Sequence, residues 1–245
     1  MSFTGFPVAA LDFYDDLEMD NTKSFWEGHK HVWKESVEAP MKALMAELEP
    51  EFGTAKVFRP YRDVRFAKDK TPYKTHQGAF VAAGPRTGWY FEISPRGTRV
   101  GAGFYDADGP TLAAIRDAMA DDKSGAALDR LLKRLEKDGF EVGGEQLKTS
   151  PRGYDADHPR IHLLRRKQLF VGRPYGFDGL DDPAVADRVR GSACSYASAS
   201  TAGTRTPPMA SASVIASTST GSGPTCSRNS LLAMAPASSA YPSPV

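Results

Sequence analysis

The hydrophobic period of this chain changes twice, and those two changes limit its fold more than any other feature. Up to about residue 54, apolar residues recur every three or four positions. From Ala55 they alternate, and from Pro110 the helical spacing returns. Strands that follow one another without intervening helices pair as hairpins, whereas a parallel βαβ order needs a crossover helix between strands. The expected fold class is therefore α+β: N-terminal helices, an antiparallel β-meander and C-terminal helices.

The first helix is expected over 7–19, with Pro7 at its first position and Leu11, Tyr14 and Leu17 on one face. A second starts at the capping pair Asn21-Thr22. Its stripe runs through Phe25, Trp26, His29, Trp33, Val37, Met41, Leu44 and Leu48. Pro40 is expected to kink or split it, and Pro50 with Gly53 to end it. Strands are expected over 57–64 (bent at Pro60), over 76–83, around Trp89, Phe91 and Ile93, and over 99–105. In the third strand Tyr90, Glu92 and Ser94 face the other way. Gly101 and Gly103 share one face of the fourth, where a glycine admits a close neighbour. Further helices are expected over 110–120, 125–137 and 159–167. A last one opens at Asp181-Asp182-Pro183 and stops at Gly191.

These elements make one α+β domain over 1–190. The stretch 191–245 holds fourteen serines, eleven alanines and no Asp, Glu or Lys. It lacks the apolar pattern a core requires, so a disordered low-complexity tail is expected. Its Ala/Ser/Thr/Pro/Arg bias is also what a GC-rich gene gives when read out of frame, and a frameshifted reading stays open. Both cysteines, Cys194 and Cys226, lie there, so the domain is expected to use neither disulfides nor thiolates. No apolar run is long enough for a membrane span. The first residues carry no basic, apolar leader, and a cytoplasmic protein is expected.

Charge is unevenly placed. Residues 9–51 carry eleven acids against four lysines, and residues 56–76 carry seven Lys/Arg against two aspartates. Residues 160–173 carry five Lys/Arg and no acid. This is either a solvated, salt-bridged surface or a place for an anion between two basic segments. Within 59–73, Arg59, Arg62, Asp63, Arg65, Lys70 and Tyr73 are the candidate anion-binding residues, because the planar guanidinium suits a bidentate grip on phosphate or carboxylate. Lys74 and His76 follow in the same loop, and Arg165, Arg166 and Lys167 form the second basic segment. The same motif also fits an internal network that pins a long loop to the sheet. Asp63, Asp157 and His158 are candidate general bases, with no legible pairing. His158 and His162 stand four apart, but Pro159 puts His158 at a cap, so no metal site is expected, and no cofactor motif is present.

The spacing Arg-x-x-Arg-Asp-x-Arg-Phe-x-x-x-Lys-x-x-Tyr, from Arg59 to Tyr73, resembles the signature of a mainly bacterial family, domain of unknown function 2461. The opening Phe3-Thr4-Gly5-Phe6-Pro7 resembles it too. So do the run Arg152-Gly153-Tyr154-Asp155-Ala156-Asp157-His158-Pro159 and Leu163-Leu164-Arg165-Arg166-Lys167. The resemblance covers about 3–190. Members continue in helix where this chain turns to Ser and Ala. The resemblance implies no activity. Three functions stay open: binding, with or without turnover, of a phosphorylated small molecule or nucleotide; association with nucleic acid; and a structural or partner-binding role in which the motif only holds the fold. Net charge over 1–190 is −1, from 29 Lys/Arg and 30 Asp/Glu, which weighs against a dedicated nucleic-acid binder.

Overall fold

The structure is a computed structural model, and it describes residues 2–201 except Pro85 and Asp178. Strands β1 (Ala55–Val57), β2 (Gln77–Gly84), β3 (Thr87–Ser94), β4 (Gly97–Phe104), β5 (Glu141–Gly143) and β6 (Leu169–Gly176) form one sheet in the order β1-β2-β3-β4-β6-β5. Every neighbouring pair is antiparallel. The expected meander is its first four strands, and the α+β class holds. Alternation sorts the side chains: Ala79, Val81, Trp89, Phe91, Ile93, Val100, Ala102 and Phe104 are buried on one face. Helices α3 (Ala39–Phe52) and α7 (Ala184–Thr201) pack against the sheet, with Phe52 edge-on to Trp89.

The N-terminal layer is α1 (Ala9–Met19), α2 (Lys23–Val32), a π-helical turn (Trp33–Glu38) and α3. Thr22 caps α2, its hydroxyl accepting from the Phe25 N–H at 3.2 Å. Trp26, Trp33, Val37, Met41, Leu44 and Leu48 are buried as the stripe requires, while His29 is exposed and stacks on Phe25. Pro40 does not break the helix. A proline ring clashes with the carbonyl four residues back. Here the preceding turn is widened, and the Ala39 N–H reaches back five residues to Lys34 O. The helix likewise runs through Pro50 to Phe52, and Gly53, at φ 93°, stops it.

Helices α4 (Gly109–Ala120) and α5 (Ser124–Lys137) pack together, and the four-residue α6 (Ile161–Leu164) lies against α4. Arg160, its side chain 11% exposed, donates to the end carbonyls of α4, Met119 O at 3.0 Å and Ala120 O at 2.5 Å. The expected helix over 159–167 is thus one turn, because the chain there is spent on these ties and on pairing into β6.

Two further expectations are corrected. The first strand ends at Val57, not residue 64: after Phe58 N–H donates to Gly78 O at 3.0 Å, the next ladder position belongs to Arg59 and Pro60, and the chain leaves the sheet. The last helix does not stop at Gly191. It continues to Thr201, with buried Ser192 bonded to the Tyr175 hydroxyl and to Arg188 O at 2.9 Å. Arg190 pins it to α3 through Glu51 at 2.7 Å and Glu47 at 3.2 Å. The rest of the expected tail, residues 202–245, lies outside the described residues. Among the described residues, no helix is long and apolar enough to cross a membrane.

Two glycines test the packing with opposite signs. Gly5 has φ +104°, and a Cβ there would sit 2.2 Å from the Asp181 carbonyl carbon. Gly5→Ala is expected to lose more than the ~1–3 kcal/mol of the dihedral alone. Gly28, in α2, has nothing within 4 Å, and Gly28→Ala is expected to gain about 1 kcal/mol. Urea denaturation of the two variants measures both.

Candidate anion-binding site

Between β1 and β2 the chain forms a loop closed at its base. Tyr61 and Tyr73 make an antiparallel bridge. Arg62 N–H donates to Pro72 O at 2.9 Å, and Lys74 N–H to Pro60 O at 2.8 Å. A compact loop with adjoining ends and its own internal bonds is an Ω-loop. One residue moors it. Tyr73 is 4% exposed, and its ring stacks on Trp26 at 4.3 Å and 10°. The Asn21 side chain grips the Tyr73 backbone on both sides, donating to its carbonyl at 3.1 Å and accepting from its N–H at 3.0 Å. Burial pushes the Tyr73 phenol above its ordinary range.

The loop spends most of its charge on itself. Arg62 donates to Asp69 Oδ2 and Thr71 Oγ1, each at 2.5 Å. Two bonds from Thr71, then Arg62, hold the Asp69 carboxyl below the usual carboxylate range. Arg65 grips Asp63 with two guanidinium bonds, 2.9 and 2.7 Å, and lowers its pKa. These side chains are 77% and 48% exposed. Lys70 Nζ donates to Val64 O at 2.8 Å.

Beside the loop lies an open cavity of about 420 Å³. One wall is Arg62, Asp63 and Ala67; the other is Lys74, Thr75 and His76, the lead-in to β2. Burial lowers the Lys74 pKa, and nearby exposed Arg59 lowers it further. Burial also lowers the His76 pKa; Glu92 opposes the shift, and Lys74 and Arg62 reinforce it. Cationic groups thus crowd one cavity with Asp63 as the carboxylate in its wall.

Of the residues expected to converge, Arg62 and Asp63 line this cavity, and Lys74 and His76 join them. Arg65, Lys70 and Tyr73 do not: they clasp Asp63, tie off a carbonyl and anchor the loop. Their density within fifteen residues suggested convergence, but the segment follows a loop path rather than a strand. The second basic segment stands apart. Arg166 Nη1 donates to Gly143 O of β5 at 3.0 Å, Arg165 O accepts from Leu147 N–H at 2.8 Å, and Lys167 pairs with Glu145 at 3.2 Å. β5 and β1 are the two edges of the sheet, about 24 Å apart at ordinary strand spacing, so Arg165–Lys167 cannot close over the cavity. His158 takes a local role, its Nδ1 accepting from the Arg160 N–H at 3.1 Å, and Asp157 is exposed in the same turn. His162 meets Asp129 at 2.8 Å. Among the described residues no group of His, Cys, Asp or Glu could hold a metal.

Sequence reasoning missed Glu92 and Tyr90 as neighbours of the site. The Tyr90 hydroxyl donates to Glu92 at 2.5 Å, and burial, reinforced by Glu92, pushes its ionisation far up. Their outward phase in β3 was the available signal.

A family model described as Conserved hypothetical protein (DUF2461) matches residues 9–197, and the chain belongs to that family. No curated protein and no solved structure matches it.

Asn21→Ala leaves the Tyr73 N–H and C=O without their partner. It is expected to cost about 1–3 kcal/mol and to speed amide exchange across 61–74, read by hydrogen-exchange mass spectrometry. His76 titrates lower in the folded chain than its ordinary 6.5, so the unfolded chain binds the proton first as pH falls. Its contribution to stability is complete above that ordinary value and shrinks as pH drops below it toward the folded value. His76→Gln is expected to flatten the stability–pH curve in that window, measured by urea denaturation.

Proposed function

We propose, for this member of the DUF2461 family, that the cavity between the Ω-loop and the start of β2 binds the phosphate of a small phosphorylated molecule or nucleotide. One observation carries the reading. Arg62, Lys74 and His76 face one cavity, Arg59 stands near, and these groups disfavour one another's protonation. Holding like charges together is unfavourable in the empty site, and a bound dianion reverses the sign. Arg62 is braced by Asp69 and Thr71 and offers its remaining donors without reorganising.

The Arg65–Asp63 clasp, by contrast, lies in solvent, where an ion pair contributes little to stability. Arg65 serves this reading by occupying Asp63, a carboxylate in the cavity wall that would otherwise repel an anion.

Sulfate, whose charge is constant across the working range, is the first probe. Lys74→Gln is expected to abolish the rise in melting temperature that sulfate gives the parent chain, and Arg65→Ala, which bares the Asp63 carboxylate, to diminish it. A folded Lys74→Gln with an undiminished sulfate response overturns the assignment. Because an anion favours the protonated imidazole, binding is expected to take up a proton at pH 7 and to tighten as pH falls. Calorimetry in buffers of different ionisation enthalpy counts that proton, and His76→Gln removes it.

A further inference from the structure

The face of the sheet opposite the core carries a pattern that the phosphate pocket leaves unexplained. In register across the strands, one row reads Lys56, Phe80, Tyr90, Gly101, Gly172, Glu141. The row beside it reads Gly78, Glu92, Arg99, Pro174, with Phe58 bonded onto Gly78 at its end. The next row on the other side reads Ala82, Gly88, Gly103, Phe170, Gly143. Three aromatic rings on this face lean over a glycine of a neighbouring strand. The Tyr90 hydroxyl and ring lie 2.6–3.0 Å from where a Gly78 Cβ would be, Phe80 covers Gly88 from 2.4 Å, and Phe170 covers Gly143 from 2.4 Å. Phe80, Tyr90 and Phe170 stay partly exposed there.

Cations border the rings. Lys56 and Lys74 stand over Phe58 at 5.9 and 5.3 Å. Arg99 lies over Gly172 beside Tyr90. The acids of the face are engaged: Glu92 by the Tyr90 hydroxyl, Glu141 by Arg99 at 3.4 Å. Lys74 belongs both to this border and to the phosphate cavity, so the two are one continuous surface. Phe66, the chain neighbour of cavity-lining Ala67, is 96% exposed.

We propose that this surface binds single-stranded nucleic acid: a backbone phosphate sits in the Arg62–Lys74–His76 cavity, and adjoining bases stack on Phe58, Phe80, Tyr90 and Phe66. The proposal rests on the phosphate reading of the cavity and names its ligand. Every base has a π-face, so such a platform tolerates sequence, and cations beside the rings match the charge of the backbone. A duplex keeps its bases stacked inside and offers this surface only phosphates.

The test is fluorescence anisotropy of the full chain with a labelled twelve-nucleotide oligothymidylate, beside a twelve-base-pair duplex and the sulfate thermal shift. The single strand is expected to bind more tightly than the duplex. Phe66→Ala, at an exposed position, and Phe80→Leu, which keeps an apolar cover on Gly88, are each expected to weaken it by roughly 5- to 150-fold, with sulfate stabilisation unchanged. Lys74→Gln is expected to weaken both and to lower the salt slope by about 0.7. A sulfate response without oligonucleotide binding overturns the nucleic-acid proposal and leaves the phosphate reading standing. Loss of both removes both. Equal affinity for duplex, or single-strand binding that neither aromatic variant weakens, overturns the platform. So does a dimer in sedimentation that Phe80→Leu dissociates, because this face is then its own partner.

Discussion

The stack of Tyr73 on Trp26, with Asn21 closed around the Tyr73 backbone, is the joint on which the Ω-loop and the candidate site depend. Trp26 is wholly buried and belongs to the helical layer; Tyr73 ends the Ω-loop and starts the approach to β2. The joint therefore sets where Lys74 and His76 enter the cavity and where the loop's other limb returns Arg62 and Asp63. Its strength comes from placement inside the core. A ring pair buried against Trp33 and the α1 aromatics gains from area as well as from stacking, and the two amide-type hydrogen bonds fix its orientation. A loop rich in charge is thus held by uncharged contacts, which salt does not screen.

The sheet gives the protein two unlike surfaces. Its core face is built from side chains of ordinary bulk and takes α3 and α7. Its other face is thinned by glycines at Gly78, Gly88, Gly101, Gly103, Gly143 and Gly172, and neighbours fill much of that space: Tyr90, Phe80, Phe170 and Arg99. Aromatic cover restores the apolar contact that a glycine in a strand forfeits, so one set of residues both stabilises the sheet and leaves it accessible. Under the proposed stacking role, sheet stability and ligand contact are coupled at these positions.

The class of fold was legible because period is a property of local sequence. Trp89, Phe91 and Ile93 alternate so regularly that β3 needs no tertiary information, and the Thr22 cap and the Gly53 stop follow from backbone chemistry alone. The site was legible only as a region. Arg62, Asp63, Lys74 and His76 were all among the candidates, but their partners were not. Whether Asp63 serves Arg65 or Arg62, and that Tyr73 turns inward to Trp26, depends on a loop path that no periodicity encodes. The placement of Arg165–Lys167 failed for the same reason: strand order β4-β6-β5 is a long-range fact, and it sends that segment to the far edge. At Pro40 the local rule was sound but incomplete, since a widened turn relieves the same clash that a break would. At Gly191 the small Ser and Ala residues that suggested the end of the domain are also good or tolerable helix formers, and Ser192 finds a partner in Tyr175.

The cavity's two walls stand on separate supports. One belongs to a loop that closes on itself at the Tyr61–Tyr73 bridge; the other, residues 74–76, is the lead-in to β2. Such a loop behaves as a cassette. A change at its tip reaches no strand directly, so long as the Tyr61–Tyr73 bridge and the Asn21 clasp hold.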